Sequence, residues 1–94
     1  MANRVDICYG TAKKGNPLSG FEDDGSPGYR IRVHFGDRRA VFAIRFARRR
    51  DAEQGLKALR SIMSFEGTYK EVRARIIDIG PRRIRQAVCE VQAW

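Results

Sequence analysis

Three stretches of the chain alternate apolar and polar residues, which predicts β-strands at about residues 4–9, 29–35 and 38–46. In the first, Val5, Ile7 and Tyr9 share one face. The second and third are separated only by Gly36-Asp37. Because glycine stands at the first central position, this pair predicts a type II′ hairpin turn.

The predicted hairpin also has a defined register. With Gly36-Asp37 as its loop, the apolar faces of the two strands coincide, and a slip of one residue would turn one set to the opposite face. The residues expected to face each other are Tyr29 and Ile44, Ile31 and Phe42, and Val33 and Ala40.

Helical periodicity follows in the second half of the chain. Residues 51–65 carry one apolar stripe, within which Gly55 costs about 1 kcal/mol relative to alanine. Thr68 and Glu71 form a capping-box pattern that favours a helix over residues 69–79, with a strand as the competing assignment. Residues 84–93 fit a helix and a strand equally well.

A long loop separates the first two predicted strands. Residues 10–28 are rich in Gly and Pro, and loops of this length are uncommon unless they are functional or disordered. Leu18 and Phe21 within it are expected to pin the loop to the core, the alternative being contact with a partner. The acidic run 22–24 is expected to be a solvated turn, with a divalent-ion site as the weaker interpretation.

Together these elements predict an α+β fold in one domain spanning residues 1–94. A three-stranded antiparallel sheet would carry two or three helices on one face and leave a polar face opposite. The chain length of 94 residues suits one domain, and its hydrophobic content of 43% suits one modest core.

Charge changes this picture. Lys and Arg number 19 against 11 acids, giving a net charge of +8 and an isoelectric point near 10.3. An isoelectric point above about 9 is typical of nucleic-acid-binding domains, and acidic protein surfaces attract the same charge. Neither a secretory signal nor a transmembrane run is apparent, so we expect a cytoplasmic protein with Cys8 and Cys89 reduced.

The predicted hairpin register places a basic set of residues on the polar face of the sheet. The sequence pattern places almost no acids on this face, which favours a binding role over ordinary solvation. Its members are Arg30, Arg32, His34, Arg39 and Arg45.

A basic run also precedes the first predicted helix. Helix N-termini prefer acids, so arginines there suit a bound anion, whereas the neighbouring Asp51 and Glu53 suit plain capping. The run consists of Arg48, Arg49 and Arg50. The arginines between residues 73 and 85 are interpreted as a solvated face.

Catalysis has little support in the sequence. His34 is the only histidine, and no second acid or base is assigned beside it. A metal-independent ribonuclease is the one enzyme we retain as an alternative. We therefore predict a non-enzymatic protein with no cofactor and no metal site.

The run from Tyr29 to Ile62, a hairpin followed by a helix, is similar to the sheet-plus-helix DNA-binding domains of some integrases and plant transcription factors. In its small size and lack of motifs, the chain as a whole also resembles small phage accessory proteins, including anti-CRISPR inhibitors. We thus expect nucleic-acid binding through the arginine-rich sheet face. The alternative is an inhibitor or adaptor that binds an acidic surface of a protein or nucleoprotein complex.

Overall fold

A three-stranded antiparallel sheet and three helices make up the part of the chain that the computed structural model describes, which is residues 3–10, 18 and 25–89. The predicted α+β fold is confirmed. In chain order the elements are β1 (Arg4–Gly10), β2 (Gly28–Phe35), β3 (Arg38–Val41), α1 (Arg49–Arg60), α2 (Tyr69–Ile79) and α3 (Pro81–Cys89).

Strand β2 is central, with β1 and β3 on either side. The hairpin register near the turn is as predicted, because Val33 lies opposite Ala40 and the Phe42 amide donates to the Ile31 carbonyl. Gly36 has φ 64°, the left-handed value that the first central position of a type II′ turn needs.

The far end of the hairpin differs from the prediction. Strand β3 ends at Val41, not Phe46, and Tyr29 pairs with Phe46 instead of Ile44. The reason is burial, since the consecutive residues 42–44 are all buried and cannot alternate between two faces. The chain therefore bulges before it returns to β2.

The core lies between the sheet and the helices. Sheet residues such as Ile31 and Val33 and helix residues such as Leu59, Ile76 and Ile84 are fully buried in one cluster. Leu18 also belongs to this cluster, and its amide donates to the Val41 carbonyl at 3.0 Å. The expectation that Leu18 pins the long loop to the core is confirmed, whereas Phe21 and the acidic run 22–24 lie outside the described residues.

Helix α1 ends at Arg60, before the predicted residue 65, and at its C-cap the Ser61 side chain donates to the Ala58 carbonyl at 2.6 Å. Helix α2 begins at the predicted capping box. The Glu71 amide donates to the Thr68 hydroxyl at 3.2 Å, and the Thr68 amide to the Glu71 carboxylate at 3.4 Å.

The ambiguous tail forms helix α3, which begins directly after the corner at Gly80 (φ 102°). Residues 90–93 of the predicted segment 84–93 lie outside the described part of the chain. Within the described residues, no helix is long and apolar enough to cross a membrane. Cys8 is a free thiol.

Candidate nucleic-acid interface

Arg30, expected on the exposed sheet face, is only 2% exposed. Its guanidinium donates to the Gly10 carbonyl at 3.0 Å and to the Ser26 carbonyl at 2.9 Å. These two carbonyls stand at the beginning and near the end of the long loop. Arg30 therefore acts as a clasp that holds the two ends of the loop together, which is a structural use of its charge.

Arg32 is paired with an acid from the neighbouring strand. Asp6 lies directly opposite Arg32 in the β1–β2 register. Arg32 Nε donates to one Asp6 oxygen and Arg32 Nη2 to the other, both at 2.9 Å. Such a bidentate contact fixes the orientation of the guanidinium and the carboxylate, and it is among the stronger kinds of ion pair.

His34 joins the same cluster. Its Nε2 lies 3.1 Å from Asp6 Oδ2, and the ring is only 13% exposed. The exposed guanidinium of Arg4 lies 3.5 Å from the same oxygen. We call Arg4, Asp6, Arg32 and His34 the Asp6 cluster.

The Asp6 cluster holds its carboxylate in the ionised form. The hydrogen bonds from Arg32 lower the pKa of Asp6 far below its usual range, and His34 adds to this effect. Partial burial opposes the shift without cancelling it. In return, the hydrogen bond with Asp6 raises the pKa of Arg32.

The expectation that this sheet face is almost free of acids is thus wrong. Antiparallel neighbours that lie directly opposite share a face, so β1 brings Asp6 between the basic residues of β2. The alternation of Arg4, Asp6 and Cys8 along the first strand could have revealed this, had the β1–β2 pairing been considered together with the hairpin. The assignment of no acid beside His34 is corrected for the same reason.

The remaining predicted residues are exposed. Arg39 lies on β3, and its side chain points to solvent on the same face as the Asp6 cluster. Arg45 packs its aliphatic stem over Gly28, where a Cβ would overlap it, and its guanidinium lies 3.3 Å from the Pro27 carbonyl. The other exposed members are Arg48, Arg49 and Arg50.

Helix α1 extends this second group along its exposed side. Lys57 and Arg60 are exposed about two and three turns beyond the arginine run. Glu53 is the one exposed acid of α1, and it is already paired with Arg49 at 3.1 Å. We call this set the α1 basic surface, and its members are Arg45, Arg48, Arg49, Arg50, Lys57 and Arg60.

The first turn of α1 has a further property. Arg48 is the N-cap residue, in extended backbone conformation, and its side chain makes no capping hydrogen bond within the described structure. The helix begins with cations where acids are usually favourable; the half-buried Asp51 opposes them within the first turn, and Glu53 in the next turn pairs with Arg49. The fixed charges over residues 48–53 therefore still sum to a net positive charge.

Other candidate sites are less suited to a ligand. A surface hollow at the start of α2 is lined by polar groups that already bond within it, as Thr68 does with Glu71, while Arg75 donates to the Ser64 and Glu66 carbonyls. Within residues 3–10, 18 and 25–89, no group of three or more His, Cys, Asp and Glu side chains could hold a metal ion.

No known protein family, curated protein or solved structure matches this chain.

Proposed function

We propose that this protein is a non-enzymatic nucleic-acid-binding domain that contacts phosphates through the α1 basic surface. The observation that supports the proposal is the exposure of six cations on and beside α1, against a single exposed acid on that helix. Solubility alone does not require like charges placed side by side. Phosphate oxygens would match the bidentate geometry of the arginines.

The proposed surface differs from the sheet face expected from the sequence. Arg30 and Arg32 are engaged with protein acceptors, so a phosphate would have to displace a carbonyl or Asp6. Among the described residues, two members of the α1 basic surface have such partners: Arg49, paired with the exposed Glu53, and Arg45, whose exposed guanidinium contacts the Pro27 carbonyl. Exposed ion pairs of this kind contribute only about 0–1 kcal/mol and give way readily.

A salt titration tests the proposal. If about four cations of the α1 basic surface neutralise phosphates on duplex DNA, log K falls against log salt with a slope near −3.6. The assay is fluorescence anisotropy with labelled duplex DNA, single-stranded DNA and RNA of equal length. Arg48→Ala/Arg50→Ala should weaken binding and shallow the slope by about two units, since roughly one unit is lost per phosphate contact.

A matched control removes the same charge elsewhere. Lys70 and Arg73 are exposed on α2, outside the α1 basic surface. Lys70→Ala/Arg73→Ala should leave the slope nearly unchanged, whereas equal losses in both double variants would contradict the assigned surface. Arg39→Ala tests, in the same assay, the exposed arginine on the β3 side of the sheet face.

Binding weaker than about 10⁻⁴ M to every nucleic acid at physiological salt would overturn the proposal, because that is the weak edge of nonspecific affinity. The same cations would then have to bind an acidic protein surface, as in the inhibitor or adaptor alternative.

A cytoplasmic location belongs to the proposal as well and agrees with the free Cys8 thiol.

The ribonuclease alternative is less well supported. A His–carboxylate pair is present, since His34 Nε2 lies 3.1 Å from Asp6. However, Asp6 is held as an anion by Arg32, and most of the His34 ring is covered. His34→Gln should therefore leave RNA binding unchanged, and any hydrolysis of labelled RNA that depends on His34 would revive the alternative.

A further inference from the structure

Strand β1 lies at the edge of the sheet, and the direction of its backbone groups follows from the β2–β3 bonds. The Ile31 carbonyl accepts from Phe42, and Tyr29 exchanges two bonds with Phe46. These alternate β2 residues therefore direct their amides and carbonyls toward β3. In an antiparallel sheet, the β2 residues between them must direct theirs toward β1.

The β2 residues that point toward β1 are Arg30, Arg32 and His34, and they pair with Cys8, Asp6 and Arg4. The intervening residues of β1 direct their backbone groups away from the sheet. These are Val5, Ile7 and Tyr9. Among the described residues, none forms a hydrogen bond with these outward groups.

Natural proteins usually protect such an edge with a proline, a bulge, a short strand or a cover. Strand β1 spans seven residues, and its pairing with β2 runs without a bulge from Arg4 to Gly10. Tyr9, at one end of the edge, is 67% exposed, which is unusual for a large aromatic residue in this small domain. The edge is thus ready to accept another extended strand.

We propose that the strand it accepts is β1 of a second copy of this chain, paired antiparallel about a two-fold axis at Ile7. The outward residues are evenly spaced about Ile7, so Val5 meets Tyr9 of the second copy and Ile7 meets its own counterpart. Each such pair exchanges two bonds, giving roughly six hydrogen bonds and satisfying every outward group of both edges.

Charge disfavours one of the two neighbouring registers, and the number of hydrogen bonds disfavours both. It sets Asp6 against Cys8 and Arg4 against Gly10 of the second copy, so no like charges face each other. A shift of one pair in one direction would place Asp6 opposite Asp6, and a shift in the other direction would place Cys8 opposite Cys8. Either shift also loses about a third of the bonds, and directly opposed like charges destabilise a sheet.

The symmetry has a geometric consequence. A two-fold axis between paired edge strands runs perpendicular to the sheet, so the dimer has one continuous six-stranded sheet with the helices of both copies on the same side. Tyr9, exposed in the single chain, packs against Val5 of the second copy on that side. The dimer does not depend on what the α1 basic surface binds.

Sedimentation equilibrium of the full chain across micromolar to millimolar concentrations tests this interface. The wild type should dimerise reversibly. Tyr9→Pro removes an outward amide that has no role in the β1–β2 ladder, and it should weaken the dimer by at least about tenfold. Tyr9→Val keeps the amide and is the matched control, which should remain dimeric.

A crosslink settles the register and covers the case in which Tyr9→Pro fails to fold. In a Cys8→Ser/Cys89→Ser background, Val5→Cys together with Tyr9→Cys should give an oxidised dimer, because the facing Cα atoms would lie about 5.5 Å apart. Val5→Cys alone should not. A wild type that stays monomeric at about 1 mM, equal dimerisation of Tyr9→Pro and Tyr9→Val, or equal crosslinking of the double and single cysteine variants would overturn the proposal.

Discussion

Replacing Gly55 by alanine should have two opposing effects on the free energy of unfolding, and the structure shows which of them is larger. Gly55 lies in the middle of α1, where helix propensity alone predicts that alanine stabilises the protein by about 1 kcal/mol. It is also buried against two fully buried side chains. A Cβ built on it would lie 2.7 Å from Phe46 Cζ and 3.0 Å from Val88 Cγ1.

Packing should outweigh propensity. Neither contact can be relieved by moving a side chain into solvent, because Phe46 and Val88 are both 0% exposed. Adding a methyl group to a full core costs roughly 1–3 kcal/mol. We therefore expect Gly55→Ala to lower the free energy of unfolding by about 1 kcal/mol in net terms, and Tm by roughly 4–8 °C.

The assay is denaturant and thermal unfolding followed by circular dichroism. Gln54→Ala, on the exposed side of the same helix, reports propensity without packing and should be neutral or slightly stabilising. Val88→Ala should make room, so the loss caused by Gly55→Ala should shrink in that background. A gain of about 1 kcal/mol for Gly55→Ala in the wild type would show that α1 does not approach Phe46 as closely as described.

Three further predictions concern the sheet. Arg30→Ala should cost roughly 1–3 kcal/mol by chemical denaturation, because it leaves two partly buried carbonyls without their donor; Arg39→Ala, at an exposed site, should stay within about 0.5 kcal/mol, and equal effects would refute the clasp. Asp6→Asn should destabilise the protein at neutral pH, and this difference should shrink with acid. The pKa of Asp6 is lowered by folding, so its stabilisation is present above the ordinary value of 3.8 and is lost as pH falls toward the folded value; a difference that is constant from pH 7 to pH 2 would contradict the pairing. Ile31→Asp should unfold the domain, as measured by loss of the cooperative melt, since it buries a charge at a 0% exposed site.

Local patterns predicted the elements whose determinants are local. The hairpin needed only alternation and the Gly36-Asp37 turn, and helix α2 needed only its capping box. The end of β3 was not predictable in this way, because Phe42, Ala43 and Ile44 are all buried and the bulge follows from the shape of the core. The extension of the first helix to residue 65 failed for a related reason, since Met63 and Phe65 are buried without being helical.

The residues of the candidate site also divide into those whose environment local sequence predicts and those whose environment depends on a distant strand. The exposure of the arginines beside α1 followed from their place at the start of an amphipathic helix. The fates of Arg30 and Arg32 depend on β1, which reaches β2 across the long loop and brings Gly10 and Asp6 with it. The hydrophobic pattern does not show which residues of β1 lie opposite Arg30 and Arg32. The alternation along β1 shows only which face of the strand carries Asp6.

The Arg30 clasp also bears on how the sequence between the first two strands can change. Chain closure between Gly10 and Ser26 is divided by the buried Leu18 into two spans of roughly eight residues each, and closure entropy rises only slowly with length. Extra residues inserted within either span should cost the fold little, provided that the three anchor points remain. The sheet and the intervening sequence could therefore diversify separately, with a new peptide carried between the anchor points while the rest of the domain is unchanged.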